Sequence, residues 1–371
     1  MKLIKYKLGD LIRQRRQKND SNDLPICGVT HDGFIPPKQQ DADTSLYNVF
    51  YLKDFVFNPA RMELNAIVFN DRYEKAICSS LYEVFYVHRP EVILPEYLAL
   101  LVKQDWFTRY CKFMGSGSAR EYCRVANISE LEIEVPPIEF QAEMARDNQI
   151  IRDRIELKRR INDNLEAQLS GVYHRFFDAP GNSVPGLISD LGEVVGGATP
   201  STDNPEYFCD DGIAWISPKD LTGTGLKFIY RGELCITESA YNSCSTKLMP
   251  AGTVLFTSRA PVGTVAIAMN DICTNQGFKS VIPKKEIGTA FVYYFLKENK
   301  QLIESHASGT TFMEVSGTVL KSIPAIVPKP EVASRFAAIC MPLFEEQRQN
   351  ELEIGRLQEL RQTLISSISS R

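Results

Sequence analysis

The chain has little of what most enzyme chemistry draws on. Its 371 residues include only four histidines, at 31, 88, 174 and 306, in unrelated segments. A Ser/His/Asp or Cys/His site therefore has no support in the sequence. Nine cysteines, at 27, 78, 111, 123, 209, 235, 244, 273 and 340, make no Cys-x-x-Cys pair and no zinc-ligand spacing. Their odd number and scatter fit reduced, buried thiols, and neither a metal nor a cofactor is expected. The absence of a Gly-x-x-x-x-Gly-Lys-Ser/Thr loop excludes an ATP-driven translocase. No apolar run approaches the roughly 18 residues of a membrane helix, and Met1-Lys2-Leu3-Ile4-Lys5-Tyr6-Lys7 lacks the apolar core of a signal peptide. A soluble, cytoplasmic chain with no membrane partner is expected. Positive charge is not in excess either, since 42 Lys and Arg against 46 Asp and Glu leave −4. Any nucleic-acid binding must come from locally placed cations.

What is present is an ordinary globular composition, 44% hydrophobic and 24% charged. At about 100 to 200 residues per domain, the length implies two or three domains and excludes a collagen, a largely disordered chain or a small disulfide scaffold. The strongest signal is an internal repeat near half the chain length. The first half reads Lys53-Asp54-Phe55-Val56-Phe57-Asn58-Pro59-Ala60-Arg61 and then Ala66-Ile67-Val68-Phe69. The second reads Ala251-Gly252-Thr253-Val254-Leu255-Phe256-Thr257-Ser258-Arg259 and then Thr264-Val265-Ala266-Ile267-Ala268. Tyr97-Leu98-Ala99-Leu100-Leu101, of helical period, leads to Gly115-Ser116-Gly117-Ser118. Phe291-Val292-Tyr293-Tyr294-Phe295-Leu296 leads to Ala307-Ser308-Gly309-Thr310-Thr311. Each half then has a short strand ending at proline, Leu131 to Pro137 and Ile323 to Pro330. The halves also open alike, with Leu8-Gly9-Asp10-Leu11 set against Leu191-Gly192-Glu193-Val194.

After each proline stop the pattern changes to a stretch of helical period, in which Pro342 is the one proline. From about Glu139 to Phe177 the stripe is Ile151, Ile155, Leu165, Leu169, Val172 and Phe176. From about Glu331 to Ser370 it is Phe336, Leu343, Ile354, Leu357, Leu360, Leu364 and Ile368. Each stripe is too narrow to bury itself alone, so the two helices are expected to pack on one another as an antiparallel coiled coil. At ~1.5 Å per residue, each spans roughly 55 to 60 Å, the length of a spacer. Pro180-Gly181-Asn182-Ser183-Val184-Pro185-Gly186 is a breaker cluster that ends the first helix. The expected fold is therefore two α/β (α+β) modules in tandem, at 1–138 and 181–330, joined by spacer helices at 139–180 and 331–371. The modules are expected to be related by a pseudo-twofold axis.

This arrangement resembles the specificity subunit of Type I restriction-modification systems over essentially the whole chain. The most specific segment runs Leu191-Gly192-Glu193-Val194-Val195-Gly196-Gly197-Ala198-Thr199-Pro200-Ser201-Thr202-Asp203-Asn204-Pro205-Glu206-Tyr207-Phe208, followed by Ile213-Ala214-Trp215-Ile216-Ser217-Pro218-Lys219-Asp220-Leu221. It is similar to the opening of that family's target recognition domains, as are Ser308-Gly309-Thr310-Thr311 and the heptads. The first module departs from the pattern, because a basic run stands where Gly-Gly-x-Thr-Pro would follow. The resemblance implies a DNA-reading protein without catalytic residues, each module reading one half of a split double-stranded target. It also implies docking of two methyltransferase (modification) subunits, with restriction/translocation subunits joining the full complex.

For DNA contact, the physics asks for Arg and Lys at phosphates and for Arg, Asn, Gln, Ser or Thr at base edges, on loops able to reach a groove. The basic run with Arg13, Arg15 and Arg16 fits, as do the repeat-equivalent Arg61 and Arg259. So do the small-residue loops bearing Ser116, Ser118 and Arg120 and bearing Thr310 and Thr311, together with Lys219 and Lys279 in polar turns of the second module. For Arg61 and Arg259 the competing assignment is a structural salt bridge. Residues 1–138 carry 18 cations and 18 anions, and residues 181–330 carry 12 and 14. The chain alone should therefore hold DNA weakly, since phosphate contacts supply the bulk of non-specific affinity.

Two fragments invite an enzymatic assignment and fail on context. Asn204-Pro205-Glu206-Tyr207 resembles an amino-methyltransferase motif but sits among turn residues, with no Gly-rich loop for S-adenosylmethionine. Glu156-Leu157-Lys158 matches a nuclease fragment but lies on the amphipathic helix. A fused restriction-modification enzyme and a two-module adaptor for peptides or sugars remain as alternatives.

Overall fold

The computed structural model describes residues 3–21, 23–37, 43–115, 122–223, 225–259, 261–308 and 313–369. They form two compact units, one of residues 1–155 with 356–371, the other of residues 156–355. Among the described residues, no helix is long and apolar enough to cross a membrane.

In the first unit, a four-stranded sheet has the order Ile12–Arg15, Glu83–Val87, Phe55–Phe57, Ile67–Phe69, all antiparallel. A second sheet runs Phe34–Ile35, Ile26–Val29, Lys75–Cys78, Asn48–Tyr51, with its central pair parallel. The second unit repeats the first of these orders, with one strand added, but not the second. Its first sheet runs Gly192–Gly196, Lys279–Pro283, Val254–Phe256, Val265–Ala268, then Phe228–Ile229. Its second runs Phe208–Cys209, Leu234–Ile236, Ile213–Ile216, Ile272–Thr274, where the parallel pair is the last one. Each unit also has a two-stranded ribbon, Ile4–Lys7 with Glu132–Val135 and Ser183–Leu187 with Pro324–Pro328.

These ribbons show that the sequence match between the openings of the two halves is out of register by three residues. Leu8–Asp10 forms a 3-10 turn whose Leu8 N–H donates to Leu131 O at 2.8 Å. Its counterpart is Ile188–Leu191, where Ile188 N–H donates to Ile323 O at 3.0 Å. Leu11 O and Leu191 O then accept from His88 and Lys284, at 3.0 Å each. Leu8-Gly9-Asp10-Leu11 therefore corresponds to Ile188-Ser189-Asp190-Leu191. The shared Leu-Gly pair misled because backbone pairing, not the identity of a glycine, sets the register.

The two long helices occupy Ile138–Phe177 and Pro330–Ser369. Pro330 opens the second, at the position where a missing N–H costs nothing. The first ends where Asn182 Nδ2 donates to Phe176 O at 2.7 Å and Gly181 takes φ +89°, a conformation that favours glycine. In the second unit the core takes Leu169, Tyr173 and Phe177 from the end of the first helix and Val332, Phe336, Cys340 and Phe344 from the start of the second. In the first unit Phe140 and Met144 from the start of the first helix and Ile365 and Ile368 from the end of the second pack on the core. Leu360, expected in the apolar stripe, is exposed, and Ile365 is the buried residue. Polar pairs join the helices antiparallel within each unit: Arg361 Nε to Asn148 Oδ1 at 2.8 Å in the first, Asn350 Nδ2 to Asn162 Oδ1 at 2.8 Å and Lys158 Nζ to Glu353 at 2.9 Å in the second.

The second unit also buries a cation. Lys227, 6% exposed, donates from Nζ to Glu166 Oε2 at 2.8 Å, Gln347 Oε1 at 2.9 Å and Tyr294 OH at 3.1 Å, and lies 3.7 Å from the Phe344 ring centroid. Glu166 also pairs with Lys297. Glu351 accepts the backbone N–H groups of Lys227 and Phe228 at 3.0 and 3.1 Å. One loop is thus pinned to both helices. Burial pushes Glu166 up, but Lys227 and Lys297 outweigh it and hold the carboxyl at about 2. Burial dominates at Glu351 and raises it to about 7.

Lys227→Met leaves the Glu166 carboxylate with Lys297 as its one cation among the described residues, beside hydrogen bonds from Gln347 and Tyr294, and should lower unfolding free energy by about 3 kcal/mol, the low end for breaking a buried pair. Denaturant titration measures it, and Lys227→Met with Glu166→Leu should recover most of the loss. The pH dependence has two limbs. The folded value of Glu166 lies below the ordinary 4.5, so its stabilisation is present above 4.5 and lost as pH falls toward 2. Glu351 lies above 4.5, so the folded state binds the extra proton and stability declines as pH rises from 4.5 to about 7. Melting curves from pH 3 to 8 should show Glu166→Gln flattening the acid limb and Glu351→Gln the neutral one.

Candidate nucleic-acid interface

The cations marked by the sequence fall into three physical situations. Arg13 and Arg15 lie on no loop, and Arg16 begins the segment that follows their strand. Ile12–Arg15 is an edge strand of the first sheet, so successive side chains face opposite ways. Arg15 is a structural residue. Its Nε and Nη2 grip Asp54 at 2.6 and 3.0 Å, and its guanidinium lies 4.7 Å from the ring centroids of both Tyr51 and Tyr86. Asp54, 1% exposed, also accepts the Tyr51 N–H at 2.8 Å, so its charge is fully engaged. Arg13 folds back to Gly9 O and Ile12 O at 3.0 and 3.2 Å, while the exposed Arg16 reaches Gln14 Oε1 at 2.9 Å.

Arg61 and Arg259 lie beyond equivalent strands, Phe55–Phe57 and Val254–Phe256, and both are exposed. Arg61 sits in a kinked 3-10 turn, Pro59–Leu64, and has no ion pair among the described residues. That turn abuts Gly115 and Cys123, and Cys123 N–H donates to Pro59 O at 3.1 Å. Ser116, Ser118 and Arg120 lie outside the described residues, as do Thr310 and Thr311.

Around Arg259 the second unit gathers several segments. Arg259 Nε is 3.0 Å from Glu314 Oε2, and Lys279 Nζ is 3.5 Å from Glu314 Oε1 and 3.2 Å from Gln276 O. Lys279 does not lie in a polar turn. It opens the strand Lys279–Pro283, and its side chain runs between Gly196 and Gly317, where a Cβ would come 3.8 and 3.7 Å from its Cδ. The family-like opening converges here for a steric reason. A Cβ on Gly197 would lie 2.1 Å from Thr274 O and 2.3 Å from Asn275 O, so only glycine allows this approach. Beside it, Ala198 N–H donates to Thr274 O at 3.0 Å, Trp215 Nε1 to Ala198 O at 3.1 Å, and Thr199 Oγ1 bonds Gln276 Oε1. Sequence reasoning missed Glu314, Gln276 and Thr199 as members of this cluster. Only the Gly-Gly pair signals it, by marking a close backbone approach.

Lys219 stands apart, on the short helix Pro218–Leu221 rather than in a turn. It pairs with Glu233 at 2.7 Å, which raises the lysine above its ordinary value. Asn204-Pro205-Glu206-Tyr207 is a 3-10 turn in which the Asn204 side chain accepts the Glu206 N–H at 3.2 Å. Lys158, in the nuclease-like fragment, is held by Asn350 and Glu353 on the long helix. Among the described residues, no group of three or more His, Cys, Asp or Glu could hold a metal ion.

The family model for the Type I restriction modification DNA specificity domain matches the chain twice, at residues 5–167 and 181–362. The specificity subunit of the Type I restriction enzyme MjaIX of Methanocaldococcus jannaschii is 42% identical over 172 residues, 44% of this chain. That match spans about two fifths (39%) of the relative. The HindI specificity subunit of Haemophilus influenzae is 21% identical over 449 aligned positions, covering 97% of each protein. Among solved structures, the S subunit of a Type I restriction-modification system from M. genitalium superposes with TM-score 0.62 at 14% identity, covering 98% of this chain and 95% of that one. The last likeness establishes a shared fold.

The contrast between Arg15 and Arg61 is measurable. Arg15→Lys keeps the charge but loses the two-pronged grip and the guanidinium's contact with two tyrosine rings, and should cost about 1 to 3 kcal/mol in a denaturant titration. Arg61→Ala should stay within about 0.5 kcal/mol of the parent in the same titration, as surface changes do.

Proposed function

The chain belongs to the Type I restriction-modification DNA specificity family, and from that premise we propose that it is the sequence-reading subunit of such a complex, one half of a split duplex target falling to each unit. The observation that carries this reading is the duplication itself, the same order of strands in the first sheet of each half and one family match in each. In each copy an equivalent strand leads to an exposed arginine, Arg61 or Arg259. Of the other marked cations, Arg13, Arg16, Lys219 and Lys279 serve as phosphate contacts in this reading. Ser116, Ser118, Arg120, Thr310 and Thr311 approach base edges or phosphates from the loops. Arg15 acts indirectly, by holding its strand.

Residues 1–138 and 181–330 then act as recognition domains, and the helices at 139–180 and 331–371 act as an antiparallel coiled-coil spacer with a pseudo-twofold axis between readers. The antiparallel pairs Asn148 with Arg361 and Asn162 with Asn350 support that spacer, each within its own unit. A rigid spacer suits readers whose docking sites are separated by about one helical turn of DNA, roughly 34 Å. The subunit does no chemistry itself. Two methyltransferase subunits dock on it, and restriction/translocation subunits join them, in the cytoplasm where chromosomal DNA lies. Because neither recognition domain carries a cationic excess, the partners supply much of the charge that surrounds the duplex.

Single-molecule methylome sequencing of a host expressing the chain with its modification subunit tests the reading. Exchanging residues 181–330 for another recognition domain should change one half of a bipartite methylated motif and leave the other half and the gap intact. Methylation that ignores the chain altogether would remove the proposal in favour of a non-DNA adaptor. In the same assay, inserting seven residues into each helix, about 10 Å, should widen the unread gap by up to about three base pairs and preserve both half-sites.

A further inference from the structure

Glu314 is an anomaly for a DNA-reading surface. Its carboxylate is 3.0 Å from Nε of Arg259, whose side chain is the more exposed of the two cations, and 3.5 Å from Nζ of Lys279, which is 16% exposed. It is no loosely held surface group. Glu314 exchanges both backbone hydrogen bonds with Ser308, at 2.9 and 3.0 Å, and Val315 N–H donates to Ser258 O at 3.0 Å. The backbone that presents the carboxylate is therefore fixed to the segment that presents Arg259. Lys279 is fixed from the other side, with its Nζ on Gln276 O at 3.2 Å. The side chains of Glu314 and Arg259 are partly exposed, at 32% and 44%, so solvent and a ligand can reach them.

We infer that Glu314 is a specificity-determining residue of the second unit, acting through Arg259 and Lys279. The inference rests on the DNA-reading proposal above. The carboxylate does two things at once. It orients a guanidinium and an ammonium that would otherwise sample many rotamers, and it cancels one of their two charges. A phosphate arriving in an arbitrary register meets a site with half its attraction and an adjacent negative charge. A duplex whose half-site fits makes further contacts that offset the displacement of the carboxylate. Glu314 thereby weakens the sequence-independent phosphate attraction, which dominates non-specific binding, more than it weakens cognate binding.

The test uses the chain assembled with its modification subunit and two duplexes, one carrying the methylated motif and one with the second half-site scrambled. Glu314→Gln should tighten binding to the scrambled duplex about fivefold at low salt, the scale of one partly exposed charge contact. The cognate duplex should gain less, so the ratio of the two affinities narrows. The salt dependence should steepen by about one phosphate contact, a further loss of roughly three- to fourfold between 50 and 200 mM. Adding Lys279→Gln should return the salt slope to that of the parent, and Glu314→Asp should retain more discrimination than Glu314→Gln. If Glu314→Gln weakens both duplexes equally, or leaves the ratio and slope unchanged, Glu314 is structural and the inference fails while the DNA-reading proposal stands. A parent complex that prefers no split target overturns both.

Discussion

Neither long helix can bury its own apolar stripe, and the rest of the molecule is organised around that constraint. A single helix with a narrow stripe is stable only where something else covers it. Here the cover comes from the recognition folds and from the other helix. Tyr173, Phe177 and Phe336 enter one aromatic cluster with Phe291 and Tyr294, and Ile365 enters the core that holds Tyr97 and Phe107. Each unit thus needs the beginning of one helix and the end of the other. Lys227 makes the same dependence electrostatic. Its ammonium is satisfied only when Glu166 of one helix and Gln347 of the other are both present, so its loop can seat in one arrangement. A buried ionic group of this kind adds little net stability, yet its directional bonds constrain how a neighbouring element docks.

The same economy explains how a chain of charge −4 can serve as a DNA reader. Its cations are not spread as a general basic field. Arg15 is spent on Asp54 and two tyrosines, Lys219 is paired with Glu233, and Arg259 and Lys279 share Glu314. Attraction to phosphate is therefore local and partly pre-neutralised. That arrangement suits a subunit that scans many wrong sites, because excess phosphate affinity would hold it at all of them alike.

Long-period features were legible in the sequence, and features depending on distant contacts were not. The helices at Ile138–Phe177 and Pro330–Ser369 could be read from their periodicity and the prolines before them, and the strands around Phe55 and Val254 from their apolar runs. The opening of the halves was misaligned by three residues, because Leu-Gly recurs by chance while the true match depends on hydrogen bonds to Leu131 and Ile323, more than a hundred residues away. The basic run looked like a loop because alternation cannot be seen when both faces of an edge strand carry polar groups. Arg259 was found by the repeat, but its partner Glu314 lies 55 positions later and no local pattern points to it.

The first unit's departure from the family opening has a structural reason. In the second unit the chain after Gly192–Gly196 passes so close to Thr274 and Asn275 that a side chain at 197 is impossible. In the first unit the chain after Ile12–Arg15 takes another route. Gln17 O accepts the Val49 N–H at 3.0 Å, Asn19 N–H donates to Tyr47 O at 2.9 Å, and Lys18 bridges to Asn48. There the neighbour is a strand at ordinary pairing distance, and full-sized basic side chains fit. The two copies have kept the strand order of their first sheet and exchanged the steric rule at one corner. A fold that tolerates such a change can alter one reading surface without disturbing the other, because each corner is fixed by contacts within its own unit.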